Sequence, residues 1–257
     1  MGGLRRTWDE LRLYSRYAFR KMGWRAYQIH QIYLPEQKLI YIPIPKNACT
    51  SIKHALHEIE FDKRFDSDLP EFSDYREHHD YYKKRSHAFT SVKALRKADA
   101  FRFALVRDPV RRLLSCYRNR VVDLKDLHAS RRALERMQLP VEPDLNTFVL
   151  NLEHYRQASK SIDHHSRPQS QFLGGTLSYL DNIYTLDEMP ELVKMLRAYK
   201  PDLELRRRKT GGTRVILADL SAEALDYALQ FYHEDYKLLD RYVSRRELTK
   251  AFRASKA

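Results

Sequence analysis

Two short apolar runs, each followed by apolar residues at helical spacing, dominate the hydrophobic pattern of the chain. The first run is "KLIYIPI" at residues 38–44, and "TSIKHALHEI" follows it at 50–59. The second is "FRFALV" at 101–106, which continues into "RDPVRRLLSCYRNRVV", where Asp108 is a predicted N-cap and Pro109 suits the first helical turn. Successive strand-to-helix units are typical of α/β domains with a parallel sheet. We therefore predict an α/β fold.

Weaker patterns complete the predicted element order. Residues 145–158 and 187–199 have helical spacing, and 182–186 favour a third strand. The last predicted element is one helix over 221–243 with Ser221 as its N-cap. Residues 4–22 form an amphipathic pattern, so we expect a helical extension over 1–36 and a single domain over 37–257.

Charge, cysteine content and the length of the apolar runs limit which classes of protein and partner fit the chain. The 257 residues carry a net charge of +13, which favours anionic partners. Two cysteines form no disulfide framework, and neither a signal peptide nor a membrane span of about 20 apolar residues is present. We expect a cytoplasmic protein, with peripheral membrane contact through the N-terminal helix as an alternative.

The loop after the first strand, Lys46 to Ser51, combines a lysine with hydroxyl side chains at a helix start. Such a start binds anions because its amide groups point outward at the positive end of the helix dipole. The order differs from a Walker P-loop, since the loop has no glycine and Lys46 comes first. The residues alone leave two interpretations open: a phosphate cradle, or a helix that Thr50 or Ser51 merely caps beside a solvated Lys46.

The second unit provides a further candidate anion site. Arg107 ends the second predicted strand, and Ser115 lies two turns into the following helix. A guanidinium binds phosphate with two hydrogen bonds, so this pair is suited to a second phosphate. Together the units predict one ligand with two separated anionic groups.

These stretches resemble the sulfotransferase superfamily, in its carbohydrate branch (sulfotransferase family 2, heparan 2-O-sulfotransferase-like). "PKNACTSIK" is similar to the family's 5′-phosphosulfate loop, and "LVRDPVRRLLSCYRNR" to its 3′-phosphate motif. "HHSRPQSQFL", "LRRRKTGG" and "FYHEDYKLLDRY" resemble further segments of the family, so that the resemblance covers about residues 38–243. It implies a P-loop-like three-layer fold with a central parallel sheet flanked by helices.

The resemblance also implies a reaction and its site residues. The enzyme would transfer a sulfuryl group from 3′-phosphoadenosine 5′-phosphosulfate (PAPS) to a carbohydrate hydroxyl on a glycan or glycolipid, leaving 3′,5′-adenosine bisphosphate (PAP), without a metal. Lys46 would stabilise the leaving phosphate. The other implied donor-binding residues are Asn47, Ala48, Cys49, Thr50 and Ser51 at the phosphosulfate, Arg107 and Ser115 at the 3′-phosphate, and Arg208, Lys209 and Thr210 closing over it.

The acceptor hydroxyl needs a general base, and histidine titrates in the useful range. The resemblance to the branch that acts on heparan-like chains implies His87, in "RSHAFTSVKAL". Other branches use a glutamate, which leaves His54, Glu58 and Glu60 as alternatives.

The histidine pairs and basic clusters of the chain bear on functions other than sulfuryl transfer. Adjacent histidines such as His164 and His165 point in different directions and do not form a metal site, although His165 and Arg167 could contact the donor or acceptor. The basic clusters lack the interleaved aromatics of a nucleic-acid platform. Two alternatives to a sulfotransferase stay open: an ATP- and Mg²⁺-dependent phosphotransferase with Asp108 as metal ligand, and a non-catalytic polyanion-binding module.

Overall fold

The computed structural model describes residues 30–64, 82, 89, 91–205 and 215–256. Within them lies a four-stranded sheet in the spatial order β1-β2-β3-β4. The strands are β1 (Ile32–Leu34), β2 (Leu39–Ile42), β3 (Phe101–Leu105) and β4 (Asn182–Tyr184). β2, β3 and β4 run parallel, and β1 is antiparallel to β2. The predicted α/β fold, with a mostly parallel sheet flanked by helices, is confirmed.

The sheet register brings the two predicted anion-binding segments together. Leu39 pairs with Phe101 and Ile42 with Ala104, so β2 and β3 end side by side. The segments that leave these strands therefore emerge from the same edge of the sheet. This edge, at the carboxyl ends of parallel strands, is where ligands bind in open α/β sheets.

Helices and helical turns make up most of the remaining described chain. The α-helices are α1 (Cys49–Phe61), α2 (Val92–Lys97), α3 (Pro109–Cys116), α4 (Arg131–Arg136), α5 (Leu145–Leu150), α6 (Leu152–Ala158), α7 (Lys160–Ser166), α8 (Gln169–Phe172), α9 (Met189–Arg197), α10 (Ala222–Phe231), α11 (His233–Leu238) and α12 (Arg245–Ala254). A π-helix (Tyr117–Asp123) continues α3, and 3₁₀ turns lie at Asp126–Ser130 and Leu217–Asp219. None of the helices in these described ranges is long and apolar enough to cross a membrane.

The structure differs from the predicted elements in several places. The helix predicted over 145–158 divides into α5 and α6 at Asn151, and α2, α4, α7 and α8 were not predicted. β1 was not predicted because three residues are too few to show a period. The helix expected to continue from α3 becomes a π-helix, and the single closing helix divides into α10 and α11 at Tyr232. α12 was also missed, because its sequence is mostly charged and buries only Leu248 and Phe252. The predicted N-terminal helix lies outside the described residues.

Alternating strand residues divide the core between the two faces of the sheet. Leu39, Tyr41 and Phe103 pack with α1 and α9 on one face. Ile40, Ile42 and Ala104 lie on the other face of the sheet, in a cluster that includes Phe172 of α8. A third cluster joins α3 to the helices that follow it, including α10 and α12. The loops at the carboxyl end of the sheet are thus supported from below by a packed core.

Candidate active site

The first loop, residues 45–48, turns sharply without a glycine. Lys46 has φ 70° and Ala48 has φ 51°, both in the left-handed region that side chains other than glycine seldom adopt. α1 then begins at Cys49, with Ala48 as the N-cap and no side-chain capping bond. Thr50 and Ser51 lie inside the first turn, so the interpretation in which one of them caps the helix is wrong. Their position places them at the positive end of the helix dipole.

The second segment has the capping predicted from its sequence. Asp108 Oδ1 accepts a hydrogen bond from the Arg111 amide at 2.9 Å, and Pro109 begins α3. Asp108 Oδ2 accepts a hydrogen bond from the Tyr236 hydroxyl at 2.8 Å. Both oxygens of this carboxylate therefore have protein partners, one at the start of α3 and one on α11.

Gln169 joins the two segments. Its Oε1 accepts hydrogen bonds from Asn47 Nδ2 at 2.7 Å and from the Arg107 amide at 3.2 Å. Its Nε2 donates to the Arg107 carbonyl at 2.7 Å. Asp235 holds Gln169 in place, since its Oδ2 accepts a bond from the Gln169 amide at 2.8 Å. Gln169, Asn47 and Asp235 are fully buried, so the arrangement is shielded from water.

The Arg107 guanidinium lies against the first loop. Its Nη1 donates to the Lys46 carbonyl at 3.5 Å. Burial is the main cause that lowers the pKa of Arg107, Asp108 opposes that shift, and the neighbouring Arg111 and Arg112 add to it. A bound anion would offset the cost of this desolvation and of the like-charge repulsion, because an opposite charge favours the charged form of the arginine.

Arg112 supports the first loop from beneath. Its Nε donates to the Pro45 carbonyl at 2.9 Å, and the whole side chain is buried. Within the described part of the chain, its Nη1 and Nη2 have no hydrogen-bond partner. This buried positive charge adds to the attraction of the loop for an anion.

The Lys46 side chain points to the π-helix. Its Nζ donates to Asn119 Oδ1 at 2.8 Å. Short π-helical segments are frequent at functional sites because the wider turn changes the direction of side chains. Here the π-helical segment is Tyr117–Asp123, and it includes Asn119, which accepts the hydrogen bond from Lys46.

The next residue, Arg120, is held by His165. Arg120 Nη2 lies 2.7 Å from His165 Nε2, and His165 Nδ1 lies 2.8 Å from the Ser161 carbonyl. Nδ1 therefore carries the proton and Nε2 accepts from the guanidinium. Burial and Arg120 lower the pKa of His165 to about 2. His165 is a neutral acceptor that orients Arg120, and neither ring nitrogen is available as a general base.

A cavity of about 440 Å³ opens beside the second segment. One part of it is lined by three arginines and a serine, Arg107, Arg111, Arg118 and Ser115. The rest is lined by Leu114, Val215, Ile216, Leu217, Ala218, Ala251 and Ser255. Its size is within the range of small-molecule sites, and its basic part is suited to a phosphate.

The structure thus brings together most of the predicted site residues that it describes. Lys46 to Ser51 form one loop and helix start, and Arg107 contacts that loop and shares the cavity with Ser115. Glu58 and Glu60 lie near the far end of α1, about 14 Å or more along the helix axis from Cys49. His54 lies between these two ends, in the middle of α1. His87, Arg208, Lys209 and Thr210 lie outside the described residues.

Sequence reasoning missed Gln169, Arg112, Asn119 and Arg120 as site residues. Arg112, Asn119 and Arg120 lie within the quoted "RDPVRRLLSCYRNR" stretch, and Gln169 lies within "HHSRPQSQFL". Their types were visible, but no spacing rule showed which of them face the first loop. Among the described residues, no group of three or more His, Cys, Asp and Glu could hold a metal ion.

Comparison with known proteins identifies one family. A sequence model described as "Sulfotransferase family" matches residues 30–242, which include both segments predicted to bind anions and Gln169. Searches of curated proteins and of solved structures found no match.

Proposed function

Because this chain belongs to the sulfotransferase family, we propose that it transfers a sulfuryl group from PAPS to a hydroxyl of a carbohydrate acceptor. The observation that carries the proposal is the junction at Gln169, which fixes the Lys46 loop and the Arg107 segment side by side. A donor with a 5′-phosphosulfate and a 3′-phosphate requires two such neighbouring anion sites.

In the proposed mechanism, the residues of the first loop bind the phosphosulfate. The amide groups at the start of α1 and the Thr50 and Ser51 hydroxyls donate to its oxygens. Bound PAPS supplies an activated sulfuryl group, whose S–O bond to the 5′-phosphate breaks as the acceptor oxygen attacks. Lys46 places its ammonium at the leaving phosphate oxygen, where negative charge develops. Arg107 and Ser115 hold the 3′-phosphate, and Arg208, Lys209 and Thr210 complete its binding.

The proposed general base is His87. It accepts the proton of the acceptor hydroxyl as the new S–O bond forms, so PAP and the sulfated acceptor are the products. Among the other candidates, His165 has both ring nitrogens engaged, Glu58 and Glu60 lie at the far end of α1, and His54 lies in its middle.

Two other functions are less compatible with the site. A Mg²⁺-dependent phosphotransferase would use Asp108, whose oxygens accept bonds from the Arg111 amide and the Tyr236 hydroxyl. A non-catalytic polyanion-binding module would use exposed charge. Here Arg107 is instead partly buried against the loop, and Arg112 is completely buried.

The deciding experiment combines binding and turnover. Calorimetry should show that PAP binds the purified chain and that Arg107→Ala weakens binding at least tenfold, whereas the exposed Arg132→Ala does not. Incubation with labelled PAPS and a panel of glycans, glycolipids and small alcohols should label a carbohydrate. Binding of PAP and heparin that follows salt concentration alone would favour the polyanion module, and Mg²⁺-dependent turnover of ATP would favour the phosphotransferase.

A further inference from the structure

Helix α12 lies beyond the part of the chain that matches the family. The match ends at residue 242, and α12 spans Arg245–Ala254. The helix is nevertheless firmly packed on the domain, since Leu248 and Phe252 are only 3% and 8% exposed and belong to the cluster that contains Leu114. Its position relative to α3 is therefore set by core packing.

The face of α12 next to this packed face lines the cavity. Ala251 lies in α12, and Ser255 is the C-cap residue that follows it. They are four residues apart and so lie on one side, and both line the cavity that contains Arg107 and Ser115. Ala251 is the smallest residue that has a side chain. A wall built from it leaves room that a larger side chain would fill.

The apolar part of this cavity includes an exposed large side chain. Ile216 has a large apolar side chain, yet the residue is 41% exposed. It lines the same cavity as the arginines. Leu217, next to it, is buried in the cluster that α12 joins. An apolar surface left open beside a cationic one suits a ligand with both a flat apolar part and a phosphate.

We infer that α12 forms a wall of the donor site, and that Ala251 and Ile216 bound the space for the purine base of the nucleotide. The inference rests on the proposed function. It adds that base recognition depends on a C-terminal helix outside the matched residues. The 3′-phosphate binds at Arg107 and Ser115, and the base covers Ile216 and lies against Ala251.

The test compares a cavity-filling variant with a matched surface variant. Ala251→Trp places a large ring in the cavity, and Lys250→Trp places the same ring on the exposed neighbouring residue. Calorimetry with PAP should show affinity at least tenfold weaker for Ala251→Trp and within twofold of the wild type for Lys250→Trp. Pyrophosphate, which has no base, should bind both variants and the wild type equally.

A second variant avoids dependence on a large substitution. Ile216→Ser removes apolar surface at an exposed position, so it should leave the thermal midpoint nearly unchanged and weaken PAP about threefold or more. Equal PAP affinity in the wild type, Ala251→Trp and Ile216→Ser would overturn the inference while leaving the proposed function intact. Equal loss of pyrophosphate and PAP in Ala251→Trp would also overturn it, because the effect would then lie on the phosphate site. A wild type that does not bind PAP would instead overturn the proposed function.

Discussion

Asn47 Nδ2 and Gln169 Oε1 are 2.7 Å apart, although 122 residues separate them in the chain. The same Gln169 oxygen accepts a bond from the Arg107 amide, so one buried amide side chain links the two segments proposed to bind anions. Such a link would hold the two proposed phosphate sites at a fixed distance before a ligand binds. Preorganisation of this kind lowers the cost of binding and of catalysis.

The first prediction concerns this link. Gln169→Leu removes the acceptor for Asn47 Nδ2 and the Arg107 amide, and the donor to the Arg107 carbonyl. Since each buried group without a partner costs about 1–3 kcal/mol, urea denaturation should show at least about 2 kcal/mol less unfolding free energy. PAP affinity should fall as well. Gln157→Leu, at an exposed position of α6, is the control and should change neither quantity. An unchanged PAP affinity in Gln169→Leu would show that the link does not position the site.

The second prediction concerns Asn119, which accepts a hydrogen bond from Lys46. Asn119→Ala should lower kcat about tenfold or more, equivalent to about 1.4 kcal/mol of barrier, because Lys46 loses its fixed position. The KM for PAPS should change little. Asn119→Asp keeps an acceptor oxygen and should recover most of kcat. Steady-state kinetics measure both constants. A rise in the KM for PAPS with no change in kcat would mean that Asn119 acts on donor binding.

The third prediction concerns the pH dependence of stability. The pKa of His165 is about 2 in the folded protein, whereas an unperturbed histidine has about 6.5. Between these values the unfolded chain binds a proton that the folded chain does not, so the stability from this group falls as pH decreases below about 6.5. The slope is at most about 1.4 kcal/mol per pH unit.

His165→Gln tests that slope, because its amide oxygen can accept from Arg120 and does not titrate. Between pH 6.5 and 4.5 the variant should lose less unfolding free energy than the wild type. His154→Gln changes an exposed histidine and should follow the wild type. Identical pH profiles for all three proteins would contradict the buried, neutral state of His165.

The fourth prediction concerns the proposed base. His87→Ala should leave PAP affinity within twofold of the wild type and lower kcat at least a hundredfold, within the about 10²–10⁴-fold that general base catalysis contributes. His154→Ala is the control, and both are measured by sulfuryl transfer and calorimetry. Full turnover in His87→Ala would place the base elsewhere, and His54→Ala would then be examined.

The sequence by itself determined the local parts of this protein. The runs "LIYI" and "FRFAL" form strands, and Asp108 and Ser221 cap helices, because strand burial and capping depend on neighbours within a few residues. The two strand ends that lead into helix starts, which carry the segments predicted to bind anions, were also found.

Only the tertiary structure decided how these parts meet. The π-helical turn that presents Asn119 to Lys46, the bonds of Gln169 to both segments, and the packing of α12 beside the cavity all join residues far apart in the chain. Periodicity and capping say nothing about such contacts. They depend on how the packed faces of the sheet and helices orient each buried polar group, and a buried polar group must find a partner wherever the fold provides one.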